Sequence, residues 1–168
     1  MRRRSLLTLG AVSAAALAMG GGALALLKPG LHEARLSNAG REVFAGVSRA
    51  LLDGSLPTGA QELGSALDAL LGRIDAVVAA LAPHAQSELS QLLALLASGG
   101  GRRAVAGLSE PWQVASVPDI ERALQGMRVS SISLRQQAYQ ALHDIVGGAY
   151  FSDAQTWSVL GYPGPLKI

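Results

Sequence analysis

The sequence predicts an all-α protein, a compact bundle of about six helices preceded by an N-terminal signal helix. Three observations carry that prediction. From Leu36 onward apolar residues recur with a period near 3.6, and no stretch alternates with period two for long. Serine, threonine and proline stand where helices would begin, and glycine where they would stop. The chain is 49% apolar and 15% charged over 168 residues, with no cysteine, so a packed core must do what disulfides do elsewhere. About 140 residues after the leader would bury roughly two thirds of their unfolded surface, enough for one core without staples.

The first element is a leader over residues 1–25. Arg2, Arg3 and Arg4 open the chain, and 23 uncharged residues, Ser5 to Leu27, follow before Lys28. A charged start, an apolar middle and Ala23-Leu24-Ala25 as a small-residue cleavage pattern define an export signal. Arg3, Arg4, Leu6 and Leu7 give it the twin-arginine form, an arginine pair followed by one polar and two large apolar residues. Glycines at 10, 20, 21 and 22 keep the middle only moderately apolar, which suits that route. The alternative is a retained membrane anchor extending to residue 28, since 23 residues at 1.5 Å each cross a bilayer core of about 30 Å. Both place the body, residues 29–168, in the periplasm, free or anchored at the inner membrane, with membrane contact only through the signal segment. The twin-arginine translocase is the first implied partner. It exports folded proteins, usually because a cofactor has already been inserted.

The leader also accounts for the charge. The chain carries 14 basic against 12 acidic side chains, and losing Arg2, Arg3 and Arg4 takes the formal charge from +2 to −1. Arg102-Arg103 is then the only basic run, so the electrostatic footprint of a nucleic-acid binder is missing.

Within the body, Ser37 caps a first helix with Val43, Phe44, Val47, Ala50 and Leu51 on one face, ended by Asp53-Gly54. Thr58 and Gln61 have capping-box spacing before a second helix with Leu63, Leu67, Leu70, Leu71, Ile74, Val77, Val78 and Leu81 as its stripe. Pro83 starts a third helix carrying Leu89, Leu92, Leu93 and Leu96, which Gly99-Gly100-Gly101 terminates as a flexible cap and hinge. A short helical turn spans Arg102 to Leu108. Ser116 with Asp119 marks the next start, with Ile120, Leu124 and Met127 buried. The pattern resets at 128–131, and a last long helix runs to about Phe151 with Ile132, Arg135, Tyr139, Leu142, Ile145, Val146 and Ala149 in i, i+3, i+4 relation.

Chemistry-bearing motifs are scarce. His32, His84 and His143 stand singly, and their acidic neighbours Glu33 and Asp144 are adjacent in sequence and so point to other helix faces. No helix offers a paired metal-ligand motif. There is no G-x-S-x-G, no G-x-G-x-x-G and no P-loop, and Gly99 to Arg103 reads as helix termination before anion binding. The expectation is no catalytic, cofactor-binding or metal-binding residue on this chain.

One feature is uneven. Of seven aromatics, Tyr150, Phe151, Trp157 and Tyr162 fall within thirteen residues, followed by Pro163-Gly164-Pro165. Such a segment closes the open end of a bundle or anchors a partner, tryptophan and tyrosine being favoured at interface hot spots. The candidate partner-facing residues are Trp112, Tyr150, Phe151, Trp157, Tyr162 and Pro163.

The run from Tyr150 to Pro165, an aromatic pair, the acidic turn Ser152-Asp153, then Trp157 leading into Gly161-Tyr162-Pro163-Gly164, resembles the C-terminal end of the gluconate 2-dehydrogenase small (gamma) subunit family. Those subunits accompany periplasmic flavin-dependent dehydrogenases of the GMC type. Leu134 to His143 is also similar to twin-arginine leader proteins found beside such flavoproteins. This chain departs from the family in having five residues between Phe151 and Trp157, where the family carries a longer Tyr-Gly-Gly-Asn-like stretch. The resemblance implies a non-catalytic small subunit, or export escort, that supplies the signal for a folded catalytic subunit carrying FAD. Alternatives from other classes are a free-standing periplasmic helical protein that binds a small apolar ligand, a small haem or metal carrier, and a bitopic membrane protein.

Overall fold

The computed structural model describes residues 27–162 and is all-α, with six helices. The expected signal helix, with Arg3, Arg4, Leu6, Leu7, Ala23 and Ala25, lies outside the described residues, as does Pro163. The helices are α1 (Asn38–Leu51), α2 (Ala60–Ala79), α3 (Pro83–Ala97), the short α4 (Gly99–Gly101), α5 (Val117–Arg128) and α6 (Ser133–Phe151). A 3-10 segment, Ala154–Leu160, follows.

The described chain begins with a small hairpin that periodicity did not foresee. Leu31–His32 (β1) pairs antiparallel with Arg35–Leu36 (β2), Leu31 opposite Leu36. Two-residue strands are too short to leave an alternating pattern. The turn holds Glu33 and Ala34 at φ of 50° and 59°, a left-handed conformation uncommon outside glycine. Side chains from two helices fasten the hairpin: Leu31 N donates to Ser90 Oγ at 3.1 Å and Leu36 N to Asp75 Oδ1 at 2.7 Å.

Helix α1 is the central element, packed against α2, α3, α5 and α6. Ser37 caps it as the sequence predicts, its Oγ accepting from Gly40 N at 3.2 Å. Val43, Phe44 and Val47 are fully enclosed; each such side chain contributes about 1.5–3 kcal/mol of burial. Gly46 has a packing reason: a β-carbon there would sit 3.0 Å from the Trp112 carbonyl and 3.1 Å from the Trp112 side chain, so the glycine lets that ring lie against the helix backbone.

The second helix departs from its expected cap. Gly59, at φ −70° and ψ 134°, occupies the cap position with no side-chain hydrogen bond, so the Thr58–Gln61 capping box does not form. The chain enters the helix one residue later than the box requires. Only Leu70, Leu71, Ile74 and Val78 of its stripe are buried, because the first half of α2 extends past the core.

Pro83 begins α3 as expected. Gly99-Gly100-Gly101, expected to be a flexible hinge, is helical instead. Ser98 breaks α3 at φ −71° and ψ 144°, then caps the next turn, its Oγ accepting from Gly101 N at 3.0 Å and donating to Leu95 O at 2.7 Å. The chain continues as a π-helical turn, Arg102–Ala106, closed by Gly107 at φ +72°. Ser116 caps α5, accepting from Asp119 N. In α6 the buried face is Ala138, Ala141, Leu142, Ile145, Val146, Ala149 and Tyr150; Ile132, expected on that face, precedes the helix and is 56% exposed. Among the described residues no helix is long and apolar enough to cross a membrane.

Candidate functional site

Two places bear on function: the C-terminal aromatic segment and a cleft between the π-turn, α5 and α6.

The aromatic segment is tied to the end of α6, where the last carbonyls lack a full set of helical partners. Side chains supply them. Ser152 Oγ and Arg73 Nε both donate to Ala149 O, at 2.8 and 3.0 Å. Thr156 Oγ1 lies 3.0 Å from Tyr150 O, and Trp157 Nε1 donates to Phe151 O at 2.8 Å. Arg73 Nη1 also meets Asp153 Oδ2 at 3.3 Å, while Asp153 Oδ1 accepts from Gln155 N at 3.0 Å. The tail therefore folds back over the helix end that it caps. Trp157 and Tyr162 pack ring to ring at 5.4 Å, tilted by 55°.

Burial divides the candidate partner residues into two groups. Trp112 is 1% exposed, enclosed between α1 and the end of α3, with Nε1 donating to Leu96 O at 2.8 Å. Arg49 holds the same loop by donating Nη2 to Trp112 O at 2.9 Å and Ala115 O at 3.3 Å. Trp112 is a core residue in this fold, and its side chain is not on the surface as a partner anchor. Tyr150, 6% exposed, is likewise inside, its hydroxyl donating to Ser55 O at 3.4 Å. Phe151 stands edge-on to Tyr150 at 5.1 Å and is 36% exposed; Tyr162 is 48% exposed and Trp157 half-buried. The surface group is thus Phe151, Trp157 and Tyr162.

The histidines stay apart. His84 is exposed in the first turn of α3 and His32 on the hairpin. His143 packs on Tyr139 at 5.6 Å, with Nδ1 3.2 Å from Asp144 Oδ1. Among the described residues no three histidine or carboxylate groups converge to hold a metal ion.

The cleft, of about 330 Å³, corresponds to no sequence motif. Arg135 enters it from the first turn of α6, anchored by Nε donating to Val105 O at 2.7 Å. Its Nη2 lies 3.6 and 3.7 Å from the positions that β-carbons would take at Gly107 and Gly126. Arg122 shares the cleft but is already engaged, its Nη1 donating to Asp119 Oδ1 at 2.7 Å. Ser116 Oγ donates to the other oxygen of Asp119 at 2.6 Å. The Ser116 hydrogen bond, then that of Arg122, hold the Asp119 carboxyl below its usual range. Arg102, 7% exposed and not part of the cleft lining, donates Nη2 to Ser109 O at 3.1 Å, and its buried Nε has no hydrogen-bond partner. Arg135 had one visible signal, an arginine on an otherwise apolar stripe.

Comparison with protein-family models, with curated proteins and with solved structures returns no match in any of the three.

Proposed function

We infer that this chain is the non-catalytic small subunit, or export escort, of a periplasmic flavin-dependent sugar or alcohol dehydrogenase. It supplies the twin-arginine signal for a folded partner, and FAD belongs to that partner. On this reading the chain performs no chemistry of its own.

The observation that carries the reading is the C-terminal segment. Its sequence, Tyr150 to Pro165, is where the family resemblance lies, and it leaves the packed pair Trp157 and Tyr162, and Phe151, with exposed ring surface. Side-chain caps from Arg73, Ser152, Thr156 and Trp157 hold that surface in one arrangement before any partner arrives. A preformed aromatic patch loses little conformational entropy on docking. The leader explains the other half of the role, since Arg3-Arg4-Ser5-Leu6-Leu7 addresses the chain to a translocase that carries folded cargo.

Native purification of the exported complex tests the reading. The wild-type chain is expected to co-purify with a flavin-containing subunit in fixed stoichiometry, and the double variant Trp157→Ala, Tyr162→Ala to lose it while keeping its helical circular dichroism. Retention of the flavoprotein by the double variant would move the interface elsewhere, and a wild-type chain that purifies alone would contradict the role.

A further inference from the structure

We propose that the cleft between the π-turn, α5 and α6 is a binding site for a small organic monocarboxylate, with Arg135 as the carboxylate-binding group. A volume of about 330 Å³ is at the small end of ligand pockets.

The charge pattern selects the ligand. Arg122 is neutralised by Asp119, its neighbour at 2.7 Å. Arg135 and the buried Arg102 have no ion-pair partner among the described residues; their hydrogen bonds go to the neutral carbonyls of Val105 and Ser109. Of the two arginines lining the cleft only Arg135 is without an ion-pair partner among the described residues, and the lining also holds the carboxylate of Glu110. The lining is balanced, Arg122 and Arg135 against Asp119 and Glu110, so a single carboxylate on the free N–H groups of Arg135 meets less repulsion from Glu110 and Asp119 than a phosphate dianion would. Guanidinium–carboxylate pairing is charge-assisted and directional, and with Nε held on Val105 O the remaining N–H groups of Arg135 are positioned in advance.

The walls fit a short apolar body behind the carboxylate. Ala106, Leu108 and Ala123 line the cleft beside the polar groups. Gly107 and Gly126 flank the Arg135 head. Gly107 needs its left-handed φ of +72°, but Gly126 lies inside α5, where a β-carbon would touch only Arg135 Nη2 at 3.7 Å. The fold has room for alanine there. A methyl group there would stand in van der Waals contact with the guanidinium inside the cleft.

Titration of the full isotope-labelled chain with acetate, isobutyrate and benzoate, read by the amide shifts of Gly107 and Gly126, tests the proposal. At least one carboxylate is expected to saturate, and its neutral amide analogue and inorganic phosphate to bind at least about tenfold more weakly. Arg135→Gln is expected to weaken binding by about tenfold or more, and Arg122→Gln by less than about threefold. Gly126→Ala, which keeps Arg135 and its bond to Val105, is expected to hold the fold and still weaken binding about tenfold. No saturation by any of the three, phosphate binding more tightly, or unchanged affinity in both Arg135→Gln and Gly126→Ala would overturn it.

Discussion

Replacing Trp112 by phenylalanine separates a core role for this ring from a surface role. The indole is 1% exposed, and its N–H is hydrogen-bonded at 2.8 Å to Leu96 O, a carbonyl in the last turn of α3 that has no helical partner. Phenylalanine cannot donate, so the buried carbonyl loses its donor, which costs about 1–3 kcal/mol. The smaller ring also gives up on the order of 40 Å² of buried apolar surface, about 1 kcal/mol. The expected loss is roughly 2–4 kcal/mol, a drop in Tm of about 10 °C for a domain of this size. Trp157→Phe is the control. Its hydrogen bond to Phe151 O is solvent-accessible, so water replaces the lost donor and the loss stays under about 1 kcal/mol. Urea unfolding of both variants, followed by far-UV circular dichroism, measures the difference. Equal losses in the two variants, or a loss below about 0.5 kcal/mol for Trp112→Phe, would refute the burial argument.

Three further outcomes follow from the same contacts. Ser98→Ala removes the cap from Gly101 N and is expected to destabilise the chain by about 1 kcal/mol, with faster hydrogen exchange from the π-turn onward. Arg73→Met removes the arginine's bonds to Ala149 O and Asp153 together, leaving only those from Ser152 and Gln155. The amides of Thr156 and Tyr162 should then exchange faster while global stability, by denaturant melt, changes by less than about 1 kcal/mol. Because the native Asp119 carboxyl titrates below its usual value, chiefly through Ser116 and then Arg122, its contribution is present above the unfolded pKa and disappears as pH falls through the native one. Ser116→Ala is expected to move the Asp119 titration, followed by carboxyl NMR, back up toward the ordinary range.

Much of the helical body was legible because its signals are local. The Ser37 and Ser116 caps and Pro83 stand where periodicity places helix starts, and Phe44, Leu93, Leu124 and Leu142 are buried as the stripes imply. Errors arose where a residue type had two local meanings. Three glycines read as a stop, but Ser98 had already stopped α3 and its hydroxyl started the next turn. Thr58 had the spacing of a cap but not the backbone position, which Gly59 took. Trp112 lies in a loop with no period to orient it, and the feature that accommodates it, Gly46, is 66 residues away on α1. The cleft was hidden for the same reason: Arg135, Gly107 and Gly126 come from three segments that only tertiary packing brings together. The aromatic segment was half legible. Its clustering was plain, but which rings turn inward depends on the Arg73 and Ser55 contacts across the bundle.

The escort role is tested most directly at the leader. Arg3 and Arg4 are both replaced by lysine in cells that make this chain and its flavoprotein partner, and flavin-dependent dehydrogenase activity is measured in the periplasmic fraction. The role predicts that periplasmic activity collapses to the background of cells lacking the chain, with the flavin-loaded subunit held in the cytoplasm. Undiminished periplasmic activity would contradict it.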